Sequence, residues 1–155
     1  MCDDDHKSAY HEAGHVVFAN LIGIPISYAT IKNRAKRAET KETILGIFKL
    51  KISKYLKMNR EMSIAYYLSG GKVQEYFCKD GEMRSHSNDN NEISSYGNIS
   101  VLKANAERYI DDKLSDPDIR LQIRKVARVL LDQQYHYSSE LTDVMDYQQN
   151  QIRSV

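Results

Sequence analysis

His11, Glu12 and His15 form a His-Glu-x-x-His run, and the run has chemical meaning only if the backbone beneath it is an α-helix. On a helix, residues four apart stand one above the other on the same face, so the two imidazoles can address a single metal ion while Glu12 lands beside them as a carboxylate base. Random placement of 5 His among 155 residues, with glutamates at their abundance here, produces such a run in roughly one chain in a hundred. Gly14 sharpens the constraint. Glycine costs a helix interior about 1 kcal/mol relative to alanine, so a glycine between the histidines predicts that something approaches the backbone closely here.

Composition narrows the function classes. The chain carries 22 Lys plus Arg against 21 Asp plus Glu, and a net charge of +1 offers no global attraction for nucleic acid or anionic membranes. No run approaches the roughly 18 apolar residues of a membrane span. The acidic start Met1-Cys2-Asp3-Asp4-Asp5 is unlike the basic start of a signal peptide, so the expectation is a cytoplasmic protein with no membrane span. Cys2 and Cys78 are too few for a disulfide framework and form no Cys-x-x-Cys pair, which directs any metal to nitrogen and oxygen ligands.

With 2 Pro, 7 Gly and no repeat, the chain reads as one mainly α domain with a small β hairpin or sheet. Asp3 to Asp5 suit the start of a helix over about 7–21, which Gly23 and Pro25 end. A β segment over about 26–52 follows, its strands at 26–31 and 44–52 pairing as a hairpin across a basic loop that is read as solvated. A helix over about 59–78 carries Ile64, Leu68, Gly71 and Glu75 on one stripe, which puts a carboxylate on an apolar face and calls for a partner to offset its desolvation. A polar loop spans about 80–92, and helices occupy about 93–150. Among these, Asp116-Pro117 starts a helix with Ile119, Ile123, Val126, Leu130 and Leu131 inward, and a last helix lies near 140–149. The tyrosine-rich stretch at 134–139 is read as a packed linker.

Catalytic zinc takes three protein ligands and leaves one position open. Two are His11 and His15. By chemistry alone Glu75, Glu82, His86, Asp89 and Glu92 could each be the third.

Three segments, Ala9-Tyr10-His11-Glu12-Ala13-Gly14-His15, Ser69-Gly70-Gly71-Lys72-Val73-Gln74-Glu75 and Ser87-Asn88-Asp89, resemble in order and spacing the peptidase domain of FtsH-type ATP-dependent zinc metalloproteases. The resemblance covers about residues 8–95. It implies a zincin-like helical metallopeptidase with Zn²⁺ as cofactor, Asp89 as third ligand and Glu75 as a carboxylate supporting the ligands from behind. Lys72 stands where that family usually has arginine, and Gln74 where it has alanine. No Gly-x-x-x-x-Gly-Lys-[Ser/Thr] phosphate loop occurs, so no ATPase accompanies the motifs. The resulting expectation is a zinc-dependent endopeptidase that cleaves unfolded or flexible polypeptide with Glu12 as general base, served by a separate ATPase or by homo-oligomer formation. The alternative is a catalytically silent module that keeps the fold and acts through protein partners.

Overall fold

Helix α1 (Asp4–Ile22) begins where the acidic run places it. Asp3 is its N-cap, accepting from the His6 backbone N–H at 2.8 Å and pairing with the His6 ring at 2.7 Å. These two contacts, the backbone one first, hold the Asp3 carboxyl below the ordinary aspartate range, so the cap is intact at neutral pH and is lost only as acid protonates it. Asp4 and Asp5 add negative charge to the positive end of the helix dipole, which is why the helix starts three residues before the expected boundary. It ends at Gly23, whose φ of 87° is the left-handed conformation glycine adopts without penalty. The computed structural model describes residues 2–23, 28–31, 60–79, 99–133 and 135–137.

Among the described residues three further helices accompany α1. These are α2 (Arg60–Cys78), α3 (Ser100–Leu114) and α4 (Pro117–Gln133). Every residue of α1 from Ala13 to Ala19 is buried, so this helix is central, with α2 and α4 packed on it and α3 packed on α2. Asp116 starts α4 by accepting from the Asp118 N–H at 2.9 Å. Ile119, Ile123, Val126 and Leu130 point into the core from α4 as their spacing predicts, with Leu131 at its margin. Phe18 of α1 meets the edge of Tyr109 on α3, their ring centroids 6.2 Å apart. Lys72 bridges α2 to Asp111 of α3 at 3.3 Å. None of the helices among the described residues is long and apolar enough to cross a membrane.

The described residues are therefore mainly helical, as expected, and they show a β pairing other than the one expected with 44–52, which lies outside them. Strand β1 (Tyr28–Thr30) pairs antiparallel with β2 (Tyr135–Tyr137), with Tyr28 opposite Tyr137 and Thr30 opposite Tyr135. The stretch read as a linker thus includes a strand that pairs with β1. No local turn signal announces a pairing between such distant segments. The predicted strand at 44–52, the loop at 80–92 and the helix at 140–149 lie outside the described residues.

Cysteine usage also needs correcting. Cys2 and Cys78 form one disulfide across 76 residues, with Cα atoms 5.3 Å apart. Two cysteines make no framework, yet one bridge that closes so long a loop contributes about 2–4 kcal/mol.

The closest packing in the core is between α1 and α2. The two run antiparallel, with Cys2 at Cys78 and His15 at Tyr66. A Cβ on Gly14 would lie 2.8 Å from the Ser69 carbonyl oxygen and 2.9 Å from Val73 Cβ. Gly14 is there because a backbone passes against it, as its place in the helix predicts. Gly14→Ala gains about 1 kcal/mol of helix propensity but must push α1 and α2 away from each other, an overpacking cost near the upper end of about 1–3 kcal/mol. We expect a melting temperature lower by roughly 4–8 °C, and an unchanged or higher value would refute the close contact.

Candidate metal centre

The convergence of His11 and His15 begins with helix periodicity and is completed by α2. Their Nε2 atoms stand 3.1 Å apart, with the rings edge to face at 75°. Both side chains are almost fully buried.

Behind each ring an acceptor sets the tautomer. The Nδ1–H of His15 donates to the Tyr66 backbone carbonyl at 3.1 Å. That oxygen also accepts from the Ser69 hydroxyl at 2.6 Å, which leaves Ser69 Oγ 3.5 Å from His15 Nδ1 with a lone pair facing it. The Nδ1–H of His11 donates to Oε1 of Gln74 at 3.3 Å. A carbonyl oxygen can only accept, so each neutral ring carries its proton on Nδ1 and a lone pair on Nε2. Two lone pairs aimed at each other across 3.1 Å repel unless a cation or a proton comes between them. Two nitrogens bound to one zinc at about 2.0–2.1 Å with tetrahedral angles stand about 3.3 Å apart, close to the separation seen. The donor set and its backing acceptors therefore fit a metal ion.

Gly70 makes room for this convergence. A Cβ there would lie 2.5 Å from His15 Nε2 and 2.8 Å from His11 Nε2, so the α2 backbone itself forms one wall of the site. The first glycine of the Gly70-Gly71 pair thus belongs to the site by its lack of a side chain.

That placement overturns one expectation. Glu75, predicted on the inward face and behind the histidines, is exposed, and Leu68 and Gly71 of the same stripe are only half-buried. The inward face of α2 runs through Tyr66, Gly70, Val73 and Gln74. Two adjacent glycines leave the apolar period ambiguous by one residue, which is about 100° of helix rotation, and the histidines pack against Gly70 rather than Gly71. Gln74, four residues after Gly70, takes the orienting position assigned to Glu75. Glu12 follows His11 on α1 and is half-buried. Among the described residues no set of three His, Cys, Asp or Glu side chains is placed to share a metal. Asp89, with Glu82, His86 and Glu92, lies outside them.

No known family profile matches the chain, and no curated protein or solved structure matches it either.

The geometry separates the roles of three neighbours on α2. Losing a residue that orients a ligand typically weakens metal binding about 10–100-fold, and we expect this of Gln74→Leu, with Glu75→Ala close to wild type. Gly70→Ala should weaken zinc binding by a similar factor with little change in melting temperature, because imidazole tips and not backbone must give way. Zinc titration of the three variants checks the order, and a stronger effect of Glu75 than of Gln74 would reverse the assignment.

Proposed function

We propose that the chain is a zinc-dependent endopeptidase acting on unfolded or flexible protein segments, with a zincin-like site similar to that of FtsH-type peptidase domains. The observation that carries this reading is the pair of buried Nε2 atoms 3.1 Å apart, each ring backed at Nδ1 by an oxygen that favours the tautomer with its lone pair on Nε2. His11 and His15 would hold the ion with Asp89 as third ligand. Zinc bound there supplies Lewis acidity towards a water molecule and towards the scissile carbonyl. Glu12 is the proton carrier: its carboxylate takes a proton as water attacks and returns it to the departing amine nitrogen, so acid and base are one residue. Gln74 and the Tyr66 carbonyl keep the two imidazoles turned towards the reacting centre throughout.

An extended substrate suits the predicted strand at 44–52, where its main chain could add as one more strand. Because no phosphate-binding loop lies within these residues, the proposed substrates are segments that need no unfolding, or chains delivered by a separate ATPase. A homo-oligomer would serve to cluster such sites, and a cytoplasmic setting belongs to the same proposal.

Metal analysis together with cleavage of an unstructured protein tests the reading. About one zinc per chain is expected in both wild type and Glu12→Gln, with cleavage reduced at least about 100-fold in the variant. Asp89→Ala should lose most of its zinc. Cleavage at equal rates by wild type and Glu12→Gln would remove Glu12 from its role, and stoichiometric zinc without any wild-type cleavage would favour the silent binding module instead.

A further inference from the structure

Both cysteines of the chain are consumed in one bridge, and that bridge sits on the same two helices that build the histidine pair. Cys2 immediately precedes the α1 cap, and Cys78 is the last residue of α2. From the bridge inwards, the contacts between the helices follow in order. Tyr10 stacks on Phe77 with centroids 4.6 Å apart and rings 6° from parallel, then His11 meets Gln74, then His15 meets Tyr66.

Burial is continuous only over the far part of α1 and is patchy before it, where Ala9 and His11 are buried between half-buried neighbours. Asp3, Asp4, Asp5 and His6 are exposed, Lys7 and Ser8 are half-buried, and continuous burial starts at Ala13. The bridge and the Tyr10–Phe77 stack therefore join the buried Ala9 in holding the first turns of α1 onto α2. Helix ends with few buried contacts are the segments that open first. Gln74 lies one turn from Cys78, so loosening this end acts directly on the acceptor that orients His11.

We infer that the Cys2–Cys78 bridge is a redox latch on the histidine pair: closed, it holds His11 against Gln74 and tightens metal binding, and opened, it weakens that binding. The regulatory consequence rests on the zinc reading above. A thiol reductant opens the bridge, and a dithiol does so most simply. One of its thiolates attacks Cys2 Sγ, on the half-exposed side of the bridge, and Cys78 leaves as a thiolate that takes up a proton. The reductant's second thiolate then displaces Cys2, which also takes up a proton, and closes the reductant's own disulfide, so two electrons pass to the bridge. The coupling is reciprocal: whatever factor the closed bridge adds to metal affinity, bound metal adds to the bridge's resistance to reduction.

The experiment compares oxidised wild type with the double variant Cys2→Ser, Cys78→Ser, which needs no reductant and leaves no thiol to compete for metal. Zinc affinity is read by chelator competition. Amide hydrogen exchange over residues 9–19 is read in the metal-free proteins, well below both melting temperatures. The variant should bind zinc at least about fivefold more weakly and exchange faster around His11, with protection unchanged from Val16 to Ala19. Equal zinc affinity would overturn the latch and leave the bridge a simple staple. If wild type takes up no zinc, the zinc reading fails by itself, and the latch is judged by exchange, where unchanged protection at His11 overturns it. If the double variant does not fold, wild type equilibrated in glutathione redox buffers with and without zinc gives the same comparison, and coincident midpoints overturn the proposal.

Discussion

Everything at this site depends on how closely two helices can approach. Ordinary side chains keep neighbouring helices about 8–10 Å apart at their axes, and a pair of imidazoles on one of them would then face a layer of methyl groups. Gly14 on α1 and Gly70 on α2 remove that layer from both sides. The first lets the Ser69 carbonyl and Val73 settle against the histidine helix, and the second puts bare backbone against the two ring tips. The α1 helix accepts a glycine in its middle because it is buried on all sides, so its stability comes from packing and not from intrinsic propensity.

Legibility in the sequence followed the range of the interaction. The start of α1 was readable because Asp3 caps a backbone donor three residues away, and the face of α4 because Ile119, Ile123, Val126 and Leu130 repeat at helical spacing. The histidine pair was readable for the same reason. The rotation of α2 was not, since Gly70 and Gly71 are alike as letters and only the partner helix decides which of them turns inward. That one-residue difference exchanged Glu75 for Gln74. The Cys2–Cys78 bridge and the β1–β2 ladder left no local trace either, because each joins segments that meet only once the helices have assembled.

An amide behind His11, where a carboxylate was expected, changes the electrostatics of the site. Gln74 orients the ring without adding negative charge to a buried place, so no further charge has to be offset there. A carboxylate would make the imidazole a stronger donor to metal but would need its own compensation once buried. The exposed Glu75 is spared that burden and remains solvated on the outer face of α2.

The two histidines are held by acceptors of different heredity. His15 leans on the Tyr66 main-chain carbonyl, which every amino acid at that position would supply, so its orientation survives substitution there as long as α2 keeps its shape. His11 leans on a side chain, and a single codon change at Gln74 would exchange its amide for a carboxylate or an apolar group. One ligand is thus insulated from mutational drift while the other remains adjustable. Evolution could retune the strength of this centre through one residue without disturbing the frame that holds it.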